Sequence, residues 1–344
     1  MSNKITIIGG GPAGSTAATM LAKQGYSVDL FEREKFPREH IGESLLPASL
    51  PILEELGVSK QIEDAGFLKK YGATMVWGSD REPWSWYFAE TNKTYPHSYQ
   101  VSRPIFDKIL LDNAKLHGVN VYEGTNVNLV NFTNGSVSNI EIEKDSQKKS
   151  IDVEYLIDAS GQHCLLGQDL QTREWDTSFQ NLSVYAYYSG VQYLPEPDTN
   201  NIFIESYEGG WIWVIPLSDD LASVGIVVDS HTIQHKLADI GVTQFYLSEL
   251  DKSDKVKQML SGSQITATPK VTKDWSYKCS KLYGPNYVQV GDAACFIDPL
   301  FSSGVHMAMM GAVLASSYVK TITDNPIDFE QVGSSYQQLY FKEY

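Results

Sequence analysis

The chain has 344 residues, enough for one large domain or two interleaved ones, and its 42% hydrophobic and 20% charged residues are the profile of an ordinary globular protein. A formal charge of −15 excludes a nucleic-acid backbone or an anionic membrane surface as the main partner. No apolar run approaches the roughly 20 residues that span a bilayer, and the polar start "MSNK" runs straight into a strand-like segment with no secretory leader, so a cytoplasmic location is expected.

Residues 4–34 read as strand, glycine turn, helix, strand. Ile5, Ile7 and Ile8 supply β-branched bulk, Ala17, Ala18, Leu21 and Ala22 form one helix face, and Gly25 ends the helix. Gly9-x-Gly11-x-x-Gly14 falls on the turn, with Ala13 inside it and Glu32 closing the second strand. Such glycines let backbone approach a pyrophosphate at a helix N-terminus, and a carboxylate so placed binds a ribose hydroxyl pair. Dinucleotide binding is expected, with FAD and NAD both open at this point.

Residues 71–90 alternate and are aromatic, as strands of a second sheet are. A helix and then a strand follow over 102–124, and 153–161 is a short buried strand ending in a turn. From 181 to 271 the runs become longer and strand-like, predicting a mostly antiparallel sheet with one helix near 242–260. Residues 286–294 restore a parallel-type strand ahead of a final apolar helix over 303–323.

The fold class expected is α/β (α+β). A Rossmann-like FAD-binding domain, residues 1–70 with 97–180 and 281–325, is interrupted by a mostly antiparallel β-sheet substrate domain, residues 71–96 with 181–280. Residues 326–344 begin a short C-terminal helical region. Cys164, Cys279 and Cys295 show no paired spacing and the seven histidines no ligand spacing, so neither a disulfide framework nor a metal site is expected.

The strand before Gly291-Asp292 resembles the second flavin contact of the FAD-dependent aromatic-hydroxylase superfamily. Together with Arg103 in "VSRPIFDKIL" it favours FAD over NAD. Trp211-x-Trp213-x-Ile215-Pro216, "FPREHIGESLLP" (36–47) and Phe296-x-x-Pro299-x-x-Ser302-x-Gly304 together resemble the flavin-dependent halogenases. A Gly66-Phe67-x-x-Lys70-x-Gly72 setting is similar to the region bearing that family's catalytic lysine. The four motifs agree in order and spacing from about residue 3 to the end of the chain.

The resemblance implies FAD held by Gly9, Gly11, Ala13, Gly14, Glu32, Arg33, Arg38, Gly42, Glu43, Arg103, Asp292, Pro299, Gly304 and Val305. It implies halide, chloride or bromide, at Ser302, Ser303 and Gly304, with Trp211 and Trp213 shielding the flavin from substrate. FADH2 from a separate flavin reductase, oxygen and halide would yield hypohalous acid. This would travel to Lys70 and halogenate an electron-rich aromatic, a phenol or a pyrrole, free or tethered to an acyl or peptidyl carrier protein. Lys70 would act either as an ammonium holding hypohalous acid or as a neutral amine forming a haloamine, the second needing burial to lower its pKa.

Plainer readings of the same residues stand beside these. Two tryptophans two apart on a strand face one side and can be a core pair. Ser302 and Ser303 can be simple helix caps, Glu43 and Ser44 likewise, and Lys69 and Lys70 solvated charge. An FAD monooxygenase, an FAD-dependent reductase of the geranylgeranyl-reductase type and a non-catalytic flavin-binding remnant share the same frame.

Halogenases acting on free tryptophan carry a glutamate where this chain has Phe301, so the match is nearer to the phenol- and pyrrole-type branch. Family members usually continue past the final flavin-domain helix to cover the substrate pocket. This sequence stops at Tyr344, so either it is truncated or the protein is a minimal form with an open pocket.

Overall fold

The computed structural model describes residues 4–79, 81–324 and 328–343, so residues 326, 327 and 344 of the expected C-terminal region lie outside the described residues. Its first sheet has the order Tyr283–Gly284, Tyr287–Gln289, Tyr155–Asp158, Lys4–Ile8, Ser27–Glu32, Asn120–Glu123. From Tyr287–Gln289 onward these strands run parallel. Parallel strands are covered on both faces, and so Ile5, Ile7, Val28, Leu30 and Ile157 are all buried.

Helix Pro12–Lys23 lies on one face between helices Arg103–Leu116 and Gly304–Asp324. A three-stranded antiparallel sheet, Asn126–Thr133, Ser136–Lys144 and Gln147–Asp152, supplies Val127, Val130, Val137 and Ile140 to a core with Phe31 and Leu156 on the other.

The larger sheet runs Cys295–Phe296, Lys270–Cys279, Arg173–Ser189, Leu221–Asp229, Gly210–Pro216, Ile202–Tyr207, Gly72–Val76, Pro83–Tyr87, with Gln264–Ile265 beside Arg173–Ser189. The pair Ile202–Tyr207 and Gly72–Val76 is parallel. The other pairings are antiparallel. The strands alternate. Phe203, Ile212, Val214, Val224 and Ile226 face one layer, with Phe245, Tyr246 and Val256 of the covering helices. Ile202, Ile204, Trp211, Trp213 and Ile215 face the other.

The single helix expected near 242–260 is two, Val242–Leu250 and Asp254–Met259, preceded by a further helix Ser230–Ile240. Ser253 causes the break: its Oγ accepts from the Val256 N–H at 2.9 Å and starts a new helix there.

Helix Phe329–Glu343 packs against Gly304–Asp324. Gly311 makes room for it, since a Cβ there would lie 2.5 Å from the Tyr340 ring. The Tyr336 hydroxyl donates to the Gln289 carbonyl at 2.6 Å and Tyr340 to that of Gly291 at 3.2 Å, bracing the turn before Asp292 from behind.

The three thiols are free and buried. Cys164 and Cys279, far apart in sequence, place their sulfurs 3.4 Å apart. Among the described residues no helix is long and apolar enough to cross a membrane.

Candidate active site

The turn after the first strand is shaped by glycine. Gly9 has φ +98°, and a Cβ on it would lie 2.2 Å from the Ala159 carbonyl oxygen. One on Gly14 would lie 1.9 Å from the Gly9 carbonyl oxygen, which lets helix Pro12–Lys23 seat tightly on the strand. Its N-cap, Gly11, offers no side chain to the first N–H groups, leaving the positive end of the helix open to an anion. The buried Glu32 accepts from the Gly10 N–H at 2.6 Å and the Glu34 N–H at 2.8 Å, fixing the carboxylate beside this turn. Ala13 touches the opposite wall, where a Cβ on Gly291 would stand 3.1 Å from its own. That wall carries Asp292, whose carboxyl burial pushes up to about 6 while Arg103 pulls it back down.

Arg103 is buried at the start of its helix and pairs with Asp107 one turn on, at 2.7 and 2.9 Å. Its remaining nitrogen donates to the Ile41 and Gly42 carbonyls. Gly42, at φ +94°, passes within reach because a Cβ would sit only 3.0 Å from that nitrogen. Arg38 is held in the same group by Asp107 at 3.1 Å, with its other nitrogen 3.3 Å from where a Gly11 Cβ would be. Arg33 stands apart, exposed beside Glu34. The segment 41–46 is thereby strapped across the domain, with the Val101 N–H donating to Glu43 O at 2.7 Å and the Leu45 N–H to Tyr99 O at 2.9 Å.

Lys70 ends the short strand Leu68–Lys70. Alternation turns Lys69 outward and Lys70 inward, where it is 2% exposed. Its ammonium donates to the Leu45 carbonyl at 3.2 Å and lies 5.4 Å from the centre of the Phe88 ring. It has no carboxylate partner among the described residues, and burial lowers its pKa from 10.5 to about 7. The amine is therefore available as a free base near neutrality.

Lys70 lines a narrow cavity, with room for about one water, together with Leu46, Ala73, Met75, Trp86, Ile202, Ile204, Leu300, Phe301 and Ser302. Ala73, Met75, Ile202 and Ile204 also pack with Trp211 and Trp213. The indoles lie 5.8 Å apart, both buried. Trp213 fits because residue 225 is glycine, where a Cβ would fall 2.1 Å from its ring.

Pro299–Phe301 forms a turn capped by Asp298, which accepts from the Leu300 N–H at 2.8 Å, and Ser302 follows at φ +58°. Ser303 opens the next helix as acceptor for Met307 N–H at 2.9 Å, and space at Gly304 is open, with nothing within 4 Å of a Cβ. Val305 is buried behind it, 3.9 Å from a Gly42 Cβ. Of the two serines, Ser302 lines the Lys70 cavity; Phe301, 67% exposed, stands at its rim.

Sequence reasoning missed the Leu45 carbonyl, Phe88, Asp107, Tyr187, Ser223 and Gly225. A glycine inside the apolar strand Leu221–Asp229 is the legible signal for close approach, and Asp107 is one turn from Arg103.

The profile of the family described as tryptophan halogenase matches residues 4–97 and 89–340. A tryptophan 2-halogenase of Chondromyces crocatus is 39% identical over 98% of this chain and 65% of its own. A 1H-pyrrole-2-carbonyl-[peptidyl-carrier protein] chlorinase of Pseudomonas fluorescens is 32% identical over 91% of this chain and 74% of its own. The structure of the myxobacterial chondrochloren halogenase CndH, a variant of FAD-dependent halogenases, superposes with a TM-score of 0.95 at 35% identity, covering 100% of this chain and 80% of that one. The chain spans about 65% of the length of the Chondromyces relative. With the family profile matching nearly the whole length, the chain belongs to the tryptophan halogenase family.

Proposed function

We propose that the chain is an FAD-dependent halogenase that uses reduced flavin, oxygen and chloride or bromide to halogenate an electron-rich aromatic. The observation that carries this is the single cavity shared by Lys70 and Ser302. The cradle fits FAD: the helix N-terminus has no side-chain cap, Gly9 and Gly14 admit no Cβ, and Gly291, just before Asp292, approaches Ala13 of the same turn. When bound and reduced, the flavin supplies the two electrons with which oxygen converts halide to hypohalous acid.

The protein's own residues do the rest. Ser302, Ser303 and the open start of helix Gly304–Asp324 attract the halide. Trp211 and Trp213 wall the flavin side from the aromatic substrate. The free-base Lys70 amine takes halogen from hypohalous acid: an N–X bond forms, the X–O bond breaks, and the displaced hydroxide leaves as water with the amine proton. The aromatic carbon then takes X and returns a proton to nitrogen, so Lys70 is unchanged.

Phe301 in place of a carboxylate, and the carrier-protein chlorinase among the relatives, support a phenol or pyrrole substrate, delivered free or on a carrier protein. A separate flavin reductase provides FADH2. The test supplies FAD, such a reductase, NADH and bromide together with a phenolic probe. Brominated product is expected. Hydroxylated product without halogen, from protein that binds FAD, overturns the proposal in favour of a monooxygenase.

A further inference from the structure

Glu43 is a buried carboxyl in the 41–46 strap, and nothing above gives it a task beyond lying near the flavin. Its carboxyl hydrogen-bonds with the Ser223 hydroxyl and the Tyr187 phenol, one from each of two neighbouring strands of the large sheet. Ser223 Oγ in turn accepts from the Trp213 indole N–H at 3.3 Å, which leaves the serine proton to point at Glu43. The other carboxyl oxygen, Oε2, is buried without a hydrogen-bond partner.

At the far end of the same strap the Leu45 carbonyl holds Lys70. A continuous run of contacts thus joins Lys70 to Trp213 through the strap, Glu43 and Ser223.

We propose that Glu43 is a positioning residue: by receiving Ser223 and Tyr187 it locks the Trp213 indole to the strap that also seats Lys70. This rests on the halogenase reading for its purpose. The groups facing Glu43 are Tyr187, Ser223 and Arg103. The guanidinium is already occupied by Asp107 and the Ile41 and Gly42 carbonyls, and Asp292 acts on it from beyond; His40, on the same segment, is exposed.

Burial raises the Glu43 carboxyl to about 7 against the pull of Ser223, Tyr187 and Arg103, so it remains protonated until about that pH. Ionisation then strengthens the hydrogen bonds from Ser223 and Tyr187, which favour the charged carboxylate, and the lock on Trp213 tightens.

The test is tryptophan emission of the full chain, with and without FAD, titrated from pH 5.5 to 8.5. The wild type is expected to show a shift centred near pH 7. Glu43→Gln, which still accepts from both donors, holds the low-pH emission throughout and abolishes the shift. Ser223→Ala and Trp213→Phe abolish it by removing the relay and the reporter, while Lys70→Met leaves it in place.

Persistence of the shift in Glu43→Gln or in Trp213→Phe overturns the proposal, and so does a wild-type emission flat across the range. Should Glu43→Gln fold poorly, Ser223→Ala decides in the same way. The readout involves no halide. Loss of halogenation with the shift intact therefore refutes the halogenase reading alone, and loss of the shift in a halogenating protein refutes only the lock.

Discussion

Lys70, at the end of a short strand, and Ser302, at the mouth of the helix Gly304–Asp324, line one cavity. One is a buried amine, the other a hydroxyl beside helix N–H groups. Under the proposed function, the making of an oxidant and its use would meet at this cavity, whose other lining side chains are apolar.

The first prediction concerns the cost of burying Lys70. Its folded pKa, about 7, lies below the unfolded value of 10.5, so the folded state binds fewer protons between these limits. Stability then rises with pH across that window, and the penalty is full below pH 7, reaching on the order of 5 kcal/mol as an upper bound. Lys70→Met should be more stable than wild type at pH 7, with the gap closing toward pH 10. Denaturant titrations at the two pH values check this; an equal gap at both contradicts it.

A second follows from the glycine turn. Gly9→Ala forces a Cβ against the Ala159 carbonyl at φ +98°, and backbone cannot yield as a side-chain tip can. FAD affinity should fall by about a hundredfold, roughly 3 kcal/mol. Gly25 has a similar φ, +91°, but nothing within 4 Å, so Gly25→Ala should cost about 1 kcal/mol of stability and keep FAD binding. Flavin fluorescence quenching reads both.

Gly225→Ala tests the Trp213 seat. Three indole atoms lie 2.1–2.5 Å from the added carbon, so the ring must leave its place. The expected result is a red-shifted tryptophan emission and a stability loss of about 1–3 kcal/mol. Unchanged emission in a folded variant contradicts the placement.

Filling the cavity beside Lys70 is a further check. Ala73 is buried, lines the cavity and packs with the tryptophan pair. Ala73→Leu should fill it, lowering halogenated product per NADH consumed by about tenfold, or ~1.4 kcal/mol, while FAD affinity stays within twofold. Equal coupling in variant and wild type would mean that oxidant takes another route.

Much of this was legible beforehand, for physical reasons that differ by residue. Gly9, Gly14 and Glu32 announce themselves because only glycine admits such close backbone contact and the carboxylate sits in register with it. Trp211 and Trp213 face one side, as a two-residue period requires. Lys70 is different: two adjacent lysines look like surface charge, and only resemblance singled one out, since burial depends on a strand whose partner, Ser98–Gln100, is distant in sequence. Glu43, Ser223 and Tyr187 meet across three segments, and no local pattern encodes that. The helix break at Ser253 was missed because the apolar period runs on through it. The tilted contact of Tyr336 with Tyr340 behind the turn before Asp292 depends on small residues such as Gly311 in a different helix.

The most direct measurement separates making the oxidant from using it. Lys70→Met, loaded with FAD and supplied with a reductase, NADH and bromide, is assayed in parallel with monochlorodimedone, which scavenges free hypobromite, and with a phenolic substrate. Monochlorodimedone bromination at or above the wild-type rate, with substrate bromination reduced at least about a hundredfold, is the predicted outcome. Substrate bromination at the wild-type rate would contradict the role of Lys70, as would equal loss of both products in a protein that still binds FAD.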